Sequence, residues 1–211
     1  MDQRDIEPSH LETLDRDLGR VSSLELATAY VAKPLVAPAL AIIFMILVGI
    51  IAATTMSALN NALVIVIAAV LGAYMALNIG ANDVANNMGP AVGANALTMA
   101  GAIAIAVVFE SAGAIIAGGD VVSTIAKGII APTTMQSADV FIWAMMAALL
   151  SAALWVNLAT WVGAPVSTTH SVVGGVMGAG IAAAGFSAVN WGTMSKIAAS
   201  WVISPVLGGV I

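Results

Sequence analysis

Five amide or carboxylate side chains lie within one short part of an apolar chain, the stretch NIGANDVANNMGPAVG at residues 78–93. In a helix, Asp83 shares one face with Asn86 and Asn87. Asn82 lies one helical turn before Asn86. Carboxylate and amide oxygens, with backbone carbonyls, are ligands that hard monovalent cations take inside transporters. The stretch therefore predicts a cation site that includes Asp83, Asn82 and Asn86, and the alternative is a structural cluster of hydrogen bonds between helices.

A second polar stretch, PVSTTH at residues 165–170, lies between two apolar segments. Pro165 is typical of a helix start and Ser167 is a candidate N-cap, so hydroxyl and backbone N–H groups converge there. The N-terminus of a helix carries about half a positive charge and attracts anions. The hydroxyls of Ser167, Thr168 and Thr169 therefore predict an anion site, and the alternative is an ordinary helix cap.

The two stretches predict a coupled site if they meet in space. Neither contains Lys or Arg, so an anion near Asp83 would be repelled unless a cation lay between them. This charge balance favours cation-coupled transport of an anion. Glu110, in the apolar segment AVVFESAGAII, is either a further cation ligand, a proton-carrying group or a protonated packing residue.

The elements that position these residues are predicted to be membrane-spanning helices. Hydrophobic residues make up 61% of the chain and charged residues only 8%, whereas a soluble domain carries about 25% charged residues. The apolar runs are long and continuous, which favours helices over the alternating strands of a membrane barrel. The composition predicts an all-α, multi-pass protein of the cell membrane, surrounded by lipid. It excludes the basic face that nucleic-acid binding needs, and the absence of cysteine excludes disulfides and thiolate metal sites.

The chain is predicted to have two parts, an acidic extension outside the membrane at residues 1–34 and a transmembrane domain at residues 35–211. An amphipathic helix in the extension is predicted to be capped at Ser9. A spanning helix needs roughly 20 apolar residues. The predicted spans are residues 35–56, 62–79, 97–117 and 141–162, and a last one that begins near Lys196.

Two segments between these spans carry helix-breaking residues. The glycines and Pro90 within residues 78–93 predict a broken or distorted helix. Residues 118–139, which contain three glycines, a proline and three charged residues, predict a loop with a short re-entrant helix.

Three motifs resemble the signature of the inorganic phosphate transporter (PiT) family: GANDVANNMGPAVGANALT from Gly80, FESAGAIIAGGDVVSTIAKGII from Phe109 and PVSTTHSVVGGVMGAG from Pro165. The resemblance covers about residues 62–211. It implies a secondary transporter that moves inorganic phosphate with sodium ions or protons. It also implies a polytopic helix bundle built from two inverted repeats around a site at the membrane midplane.

The resemblance also implies roles for single residues. Each motif occurs once in this chain, which indicates the first of the two repeats. The predicted partner is a second repeat or another copy of the chain, in a homo-oligomer. The implied ion and phosphate ligands are Asn82, Asp83, Asn86 and Asn87, the implied anion contacts are Ser167, Thr168 and Thr169, and Glu110 matches the family's buried glutamate and is, with Asp83, a candidate sodium ligand.

Three other functions are compatible with the residues. One is a carrier of sulfate or another oxyanion, and another is a sensor or scaffold that binds the anion without moving it. The third is an intramembrane serine hydrolase with Ser167, His170 and Asp83 as its triad. Because Ser167 lacks a nucleophile-elbow context, the chain is predicted not to be an enzyme.

Overall fold

The structure, a computed structural model, describes residues 8–210 of the chain. Its contacts divide it into two compact parts, with the boundary after Leu47. The predicted amphipathic helix and first span are continuous parts of one helix, α1 (Pro8–Thr55). The predicted cap at Ser9 involves side chains outside the described ones, and the placement of residues 1–34 outside the membrane stays a prediction.

The second part is built from helices and short connections throughout its described residues. One isolated bridge pairs Ile130 with Val189 in antiparallel orientation. The prediction of an all-α protein is confirmed. The helices are α2 (Ala62–Gly93), α3 (Met99–Ser123), α4 (Ala138–Trp161), α5 (Thr168–Ala184) and α6 (Trp191–Val210), with a π-helical turn at Thr124–Gly128 and 3₁₀ turns at Pro132–Thr134 and Phe186–Ala188.

Four helical segments are long and apolar enough to cross a membrane. Three of them are α2, α3 and α4, and the fourth is the Pro34–Thr55 segment of α1. The prediction of a multi-pass membrane protein is therefore confirmed. α6 contains the predicted last span, but it begins at Trp191 rather than near Lys196 and is not one of the four.

The polar stretch at residues 78–93 is not broken, because α2 runs through it to Gly93. The prediction of a broken helix at this stretch is therefore wrong, for two physical reasons. The buried amide of Asn82 hydrogen-bonds to Asn86 along α2 and to Thr160 of α4, so it is satisfied without unwinding the helix. Pro90 lies in the last turn of α2, where it interrupts little of the hydrogen-bond ladder.

The segment predicted as a loop, residues 118–139, begins as helix. α3 continues to Ser123, and a π-helical turn takes the chain on to Gly128. Thr124 Oγ1 stabilises this continuation by donating to the carbonyl oxygen of Asp120 over 3.0 Å. The prediction of a separate re-entrant helix here is not confirmed, because the apolar residues after Asp120 extend the preceding span.

α4 packs against both α5 and α2 and so fixes the two elements that carry the polar stretches. Its contact with α5 is close at Gly175, where an added Cβ atom would lie 2.7 Å from the carbonyl oxygen of Ala148. Small residues allow this kind of helix approach inside membranes. On the other side, the buried residues Val156 of α4 and Met75 of α2 belong to one apolar cluster.

We expect the Gly175→Ala substitution to destabilise the protein. The new methyl group would meet backbone rather than a movable side chain, so α4 and α5 would have to separate at a cost of about 1–3 kcal/mol. The measurement is thermal unfolding of the purified protein in detergent. Gly174→Ala is the matched control, because a Cβ atom added there meets nothing within 4 Å. Equal melting temperatures for the two variants would contradict this close packing.

Candidate functional site

The two polar stretches meet where the C-terminal third of α2 lies against the start of α5. Thr168 Oγ1 donates a hydrogen bond to Asp83 Oδ2 over 2.9 Å. The amide nitrogen of Asn86 lies 3.4 Å from the carbonyl oxygen of Val166. Thr168 is buried and Asp83 is half-buried. The contact between the carboxylate and the hydroxyl residues, which the coupled site requires, is therefore present.

The asparagines Asn78, Asn82 and Asn86 form an amide row along α2, as their four-residue spacing predicts. Asn78 Nδ2 donates to the carbonyl oxygen of Tyr74 over 2.8 Å, and Asn86 Nδ2 donates to Asn82 Oδ1 over 2.8 Å. Asn78 and Asn82 are only 5% and 4% exposed. Buried amides need hydrogen-bond partners, and the amide row obtains them from protein groups.

α4 supplies two polar residues to the amide row that were not predicted from the sequence, Asn157 and Thr160. Asn157 Nδ2 donates to Asn78 Oδ1 over 2.9 Å. Thr160 Oγ1 accepts from Asn82 Nδ2 over 3.1 Å. Both could have been recognised from the sequence as polar residues within an apolar span, because such side chains form hydrogen bonds between membrane helices.

Three oxygen-bearing side chains lie together where α2 meets α5: Asp83, Asn86 and Thr168. Asp83 Oδ1 and Asn86 Oδ1 have no hydrogen-bond partner among residues 8–210. Thr168 donates its hydroxyl hydrogen to Asp83, so its oxygen still has a lone pair available. This group of oxygens, with one carboxylate, can hold a monovalent cation.

The start of α5 presents hydrogen-bond donors toward a different space. Ser167 is the N-cap, as predicted, since its Oγ accepts from the backbone N–H of His170 over 3.2 Å. This leaves the hydroxyl hydrogen of Ser167 free to donate. Ser167 and Thr169 are exposed and line a cavity of about 610 Å³, which we call the α5 cavity. The three hydroxyl residues therefore have different surroundings. Thr168 hydrogen-bonds to Asp83, whereas Ser167 and Thr169 line the α5 cavity.

The α5 cavity is completed by polar residues from the end of α3, the π-helical turn and α6, none of which was predicted as a site residue. Asp120, whose side chain is a carboxylate, lines the same cavity as Ser167 and Thr169. An anion in the cavity would be repelled by this carboxylate unless the anion donated a hydrogen bond to it or a cation compensated the charge. The polar lining residues are Asp120, Thr124, Ser167, Thr169, His170, Ser200 and Ser204.

Two predicted site residues are not brought into this arrangement. Asn87 is exposed on α2, and Glu110 is exposed on α3. Neither side chain has a hydrogen-bond partner within the described part of the chain. Among the side chains that the structure describes, no three or more acidic, histidine or cysteine residues form a group that could hold a metal ion. The binding roles of Asn87 and Glu110 stay predictions.

The geometry around Ser167 does not support the serine hydrolase alternative. His170 contacts Ser167 Oγ through its backbone N–H rather than through its imidazole ring. The imidazole ring packs edge-on against Trp201, with ring centroids 3.9 Å apart, and Asp83 accepts from Thr168. Among the described residues, Ser167 therefore has no base in contact with its hydroxyl, which nucleophilic catalysis requires.

The chain is similar in sequence to several known proteins, and it matches one family model. Residues 79–211 match the model of the phosphate transporter family. A protein of Helicobacter pylori (strain J99) named "Putative phosphate permease" is 53% identical over 195 residues, which are 92% of this chain and 37% of that protein. A "Putative phosphate permease" of Thermococcus kodakarensis is 48% identical over 147 residues, which are 70% of this chain and 36% of that protein.

A solved structure named "The sodium-dependent phosphate transporter" is similar in fold as well as in sequence. It matches with a TM-score of 0.66 and 49% identity, over 70% of this chain and 37% of that chain. This chain therefore spans only 36–37% of the length of each of these three proteins. The part that matches the family model includes Asp83 and the stretch at residues 165–170.

Proposed function

Because this chain belongs to the phosphate transporter family, we propose that it forms part of a carrier that moves inorganic phosphate across the cell membrane together with a cation. Sodium is the favoured coupling ion, since a structural relative is named as sodium-dependent, and a proton is the alternative. The protein acts as a carrier rather than as an enzyme.

The cation is held where α2 meets α5. Asp83, Asn86 and Thr168 offer oxygen atoms there, and Asn82 holds Asn86 in place. One carboxylate is balanced by one monovalent cation, so the occupied site is neutral. Neutrality matters because an uncompensated carboxylate costs about 2.5–3.5 kcal/mol at the centre of a bilayer. Glu110 is proposed as a second cation or proton ligand on the strength of the family motif.

The phosphate binds beside the cation at the start of α5. Ser167 and Thr169 donate to it from the α5 cavity, together with backbone N–H groups of the first helical turn. Thr168 links the two ions, because its hydroxyl contacts Asp83 while its backbone belongs to the anion site. Asn87, exposed beside Asn86, is a further donor to phosphate. Phosphate therefore binds tightly only when a cation neutralises the carboxylate, which is the physical basis of coupling.

Asp120, a hydrogen-bond acceptor in the α5 cavity, favours phosphate over sulfate. Sulfate is fully ionised at neutral pH and has no hydrogen to donate, whereas hydrogen phosphate has one. Asp120 lines the same cavity as Ser167 and Thr169. It can accept a hydrogen bond from phosphate, and its charge repels sulfate without such compensation.

The complete pathway is proposed to need a second set of the same motifs. Each motif occurs once in this chain, and the relatives are more than twice as long. A second repeat, or another copy of the chain in a homo-oligomer, would place a second pair of polar stretches against the first.

The observation that carries the proposal is the hydrogen bond between Thr168 and Asp83. The test is uptake of labelled phosphate by cells that express the complete reading frame, with and without sodium and with excess sulfate. We expect uptake that needs sodium and is insensitive to sulfate. Uptake without sodium would indicate proton coupling, and inhibition by sulfate would indicate a broader oxyanion carrier. Phosphate binding with no uptake under any condition would indicate a sensor or scaffold instead.

A further inference from the structure

Thr160 fixes the orientation of the Asn82 amide, as a count of the hydroxyl hydrogens of Thr160 shows. A threonine hydroxyl has one hydrogen to donate. Thr160 donates it to the carbonyl oxygen of Val156 over 2.9 Å. The atom of Asn82 that lies 3.1 Å from Thr160 Oγ1 must therefore be a donor, which is Nδ2.

The orientation of the Asn82 amide determines the orientation of the Asn86 amide. With its nitrogen toward Thr160, Asn82 presents Oδ1 to Asn86, and Asn86 donates to it through Nδ2 over 2.8 Å. The carbonyl oxygen of Val166, which lies 3.4 Å from the same nitrogen, favours the same orientation. Asn86 Oδ1 is left as an acceptor without a partner among residues 8–210. It lies on the helix face that Asn86 shares with Asp83.

We propose that Thr160 is a positioning residue for cation binding: it holds Asn86 so that its oxygen, rather than its amide hydrogens, faces the cation beside Asp83. The inference rests on the proposed function, in which Asp83 and Asn86 are cation ligands. An amide turned the other way would present partially positive hydrogens to the cation and would weaken its binding. Thr160 does not touch the cation and acts through Asn82.

The test is sodium binding to the purified protein, measured with radioactive sodium and also as the rise in melting temperature with sodium chloride relative to equal potassium chloride. Thr160→Val keeps the side-chain shape but removes the acceptor, so Asn82 and Asn86 become free to turn. We expect sodium affinity to fall about three- to tenfold, the effect of losing one buried hydrogen bond. Thr160→Ser keeps the hydroxyl and should bind sodium as the wild type does.

Thr54→Val is the matched control for the loss of a threonine hydroxyl that bonds to its own helix. Thr54 Oγ1 donates to the carbonyl oxygen of Ile50 over 3.0 Å and lies outside the amide row. Its sodium affinity should remain that of the wild type. Phosphate affinity at saturating sodium separates positioning from damage to the fold, because it should be unchanged in Thr160→Val.

Unchanged sodium affinity in Thr160→Val would overturn the inference, while sodium-dependent phosphate uptake by the wild type would leave the proposed function standing. A wild type that binds no sodium would overturn the inference and the choice of sodium as coupling ion, and the proton would remain as the coupling ion of the proposed function. If Thr160→Val does not fold, Thr160→Cys provides a weaker acceptor of similar size. It should bind sodium about two- to threefold less tightly than the wild type, and wild-type affinity in this variant would equally overturn the inference.

Discussion

In the Asp83→Asn variant, phosphate uptake is expected to lose its dependence on sodium, and sodium affinity is expected to fall about 100-fold or more. The substitution removes the negative charge that balances the cation, and such a charge pair at about 4 Å is worth about 4 kcal/mol at an effective dielectric constant of about 20. The asparagine keeps an oxygen that can accept from Thr168, so the contact between α2 and α5 is retained. The measurements are uptake as a function of sodium concentration and binding of radioactive sodium.

The control for Asp83→Asn is Asp139→Asn, which removes an exposed carboxylate from the first turn of α4. This variant should keep the sodium response of the wild type, apart from a small loss of stability at the helix start. A normal sodium response in Asp83→Asn would rule out the cation site, and the polar residues of α2 would then serve helix packing alone.

A double variant, Ser167→Ala with Thr169→Val, is expected to raise the KM for phosphate about 100-fold or more at saturating sodium. Both hydroxyls line the α5 cavity, and a hydrogen bond to a charged group is worth about 1.5–3 kcal/mol. Thr169→Val alone leaves the N-cap in place and should raise the KM about tenfold. The sodium affinity should change little, because neither hydroxyl contacts Asp83.

The double variant needs one further measurement and one control variant. Loss of the Ser167 N-cap costs about 1 kcal/mol of stability, so the melting temperature has to be recorded beside the KM. Ser171→Ala is the matched control, since its hydroxyl donates to the carbonyl oxygen of Ser167 over 2.9 Å. It should leave the KM unchanged. An unchanged KM in the double variant would show that residues 165–170 form an ordinary helix cap and do not bind phosphate.

The features that were correctly predicted from the sequence depend on chemistry within one segment. The fourth span was predicted at residues 141–162 and is found as α4 at Ala138–Trp161, because a continuous apolar run is sufficient to define it. The N-cap at Ser167 follows from its side-chain type and the helix that comes after it. The amide row follows from the four-residue spacing of asparagines, which a helix converts into neighbours.

The features that were missed depend on contacts between segments. Asn157 and Thr160 become significant only when α4 is placed against α2. The glycines and Pro90 were expected to break or distort α2, but α2 continues to Gly93, and contacts with α4 satisfy buried amides along it. Asp120 enters the site only because α3 continues past the predicted loop boundary and reaches the α5 cavity.

The central claim is that the cation beside Asp83 and the phosphate at the start of α5 stabilise each other's binding. The most direct measurement is calorimetric titration of the purified protein with phosphate at zero and at saturating sodium, and with sodium at zero and at saturating phosphate, with potassium keeping the ionic strength constant. We expect sodium to strengthen phosphate binding about tenfold or more, and phosphate to strengthen sodium binding by the same factor, as thermodynamic linkage requires. A phosphate affinity that is the same with and without sodium would contradict this claim.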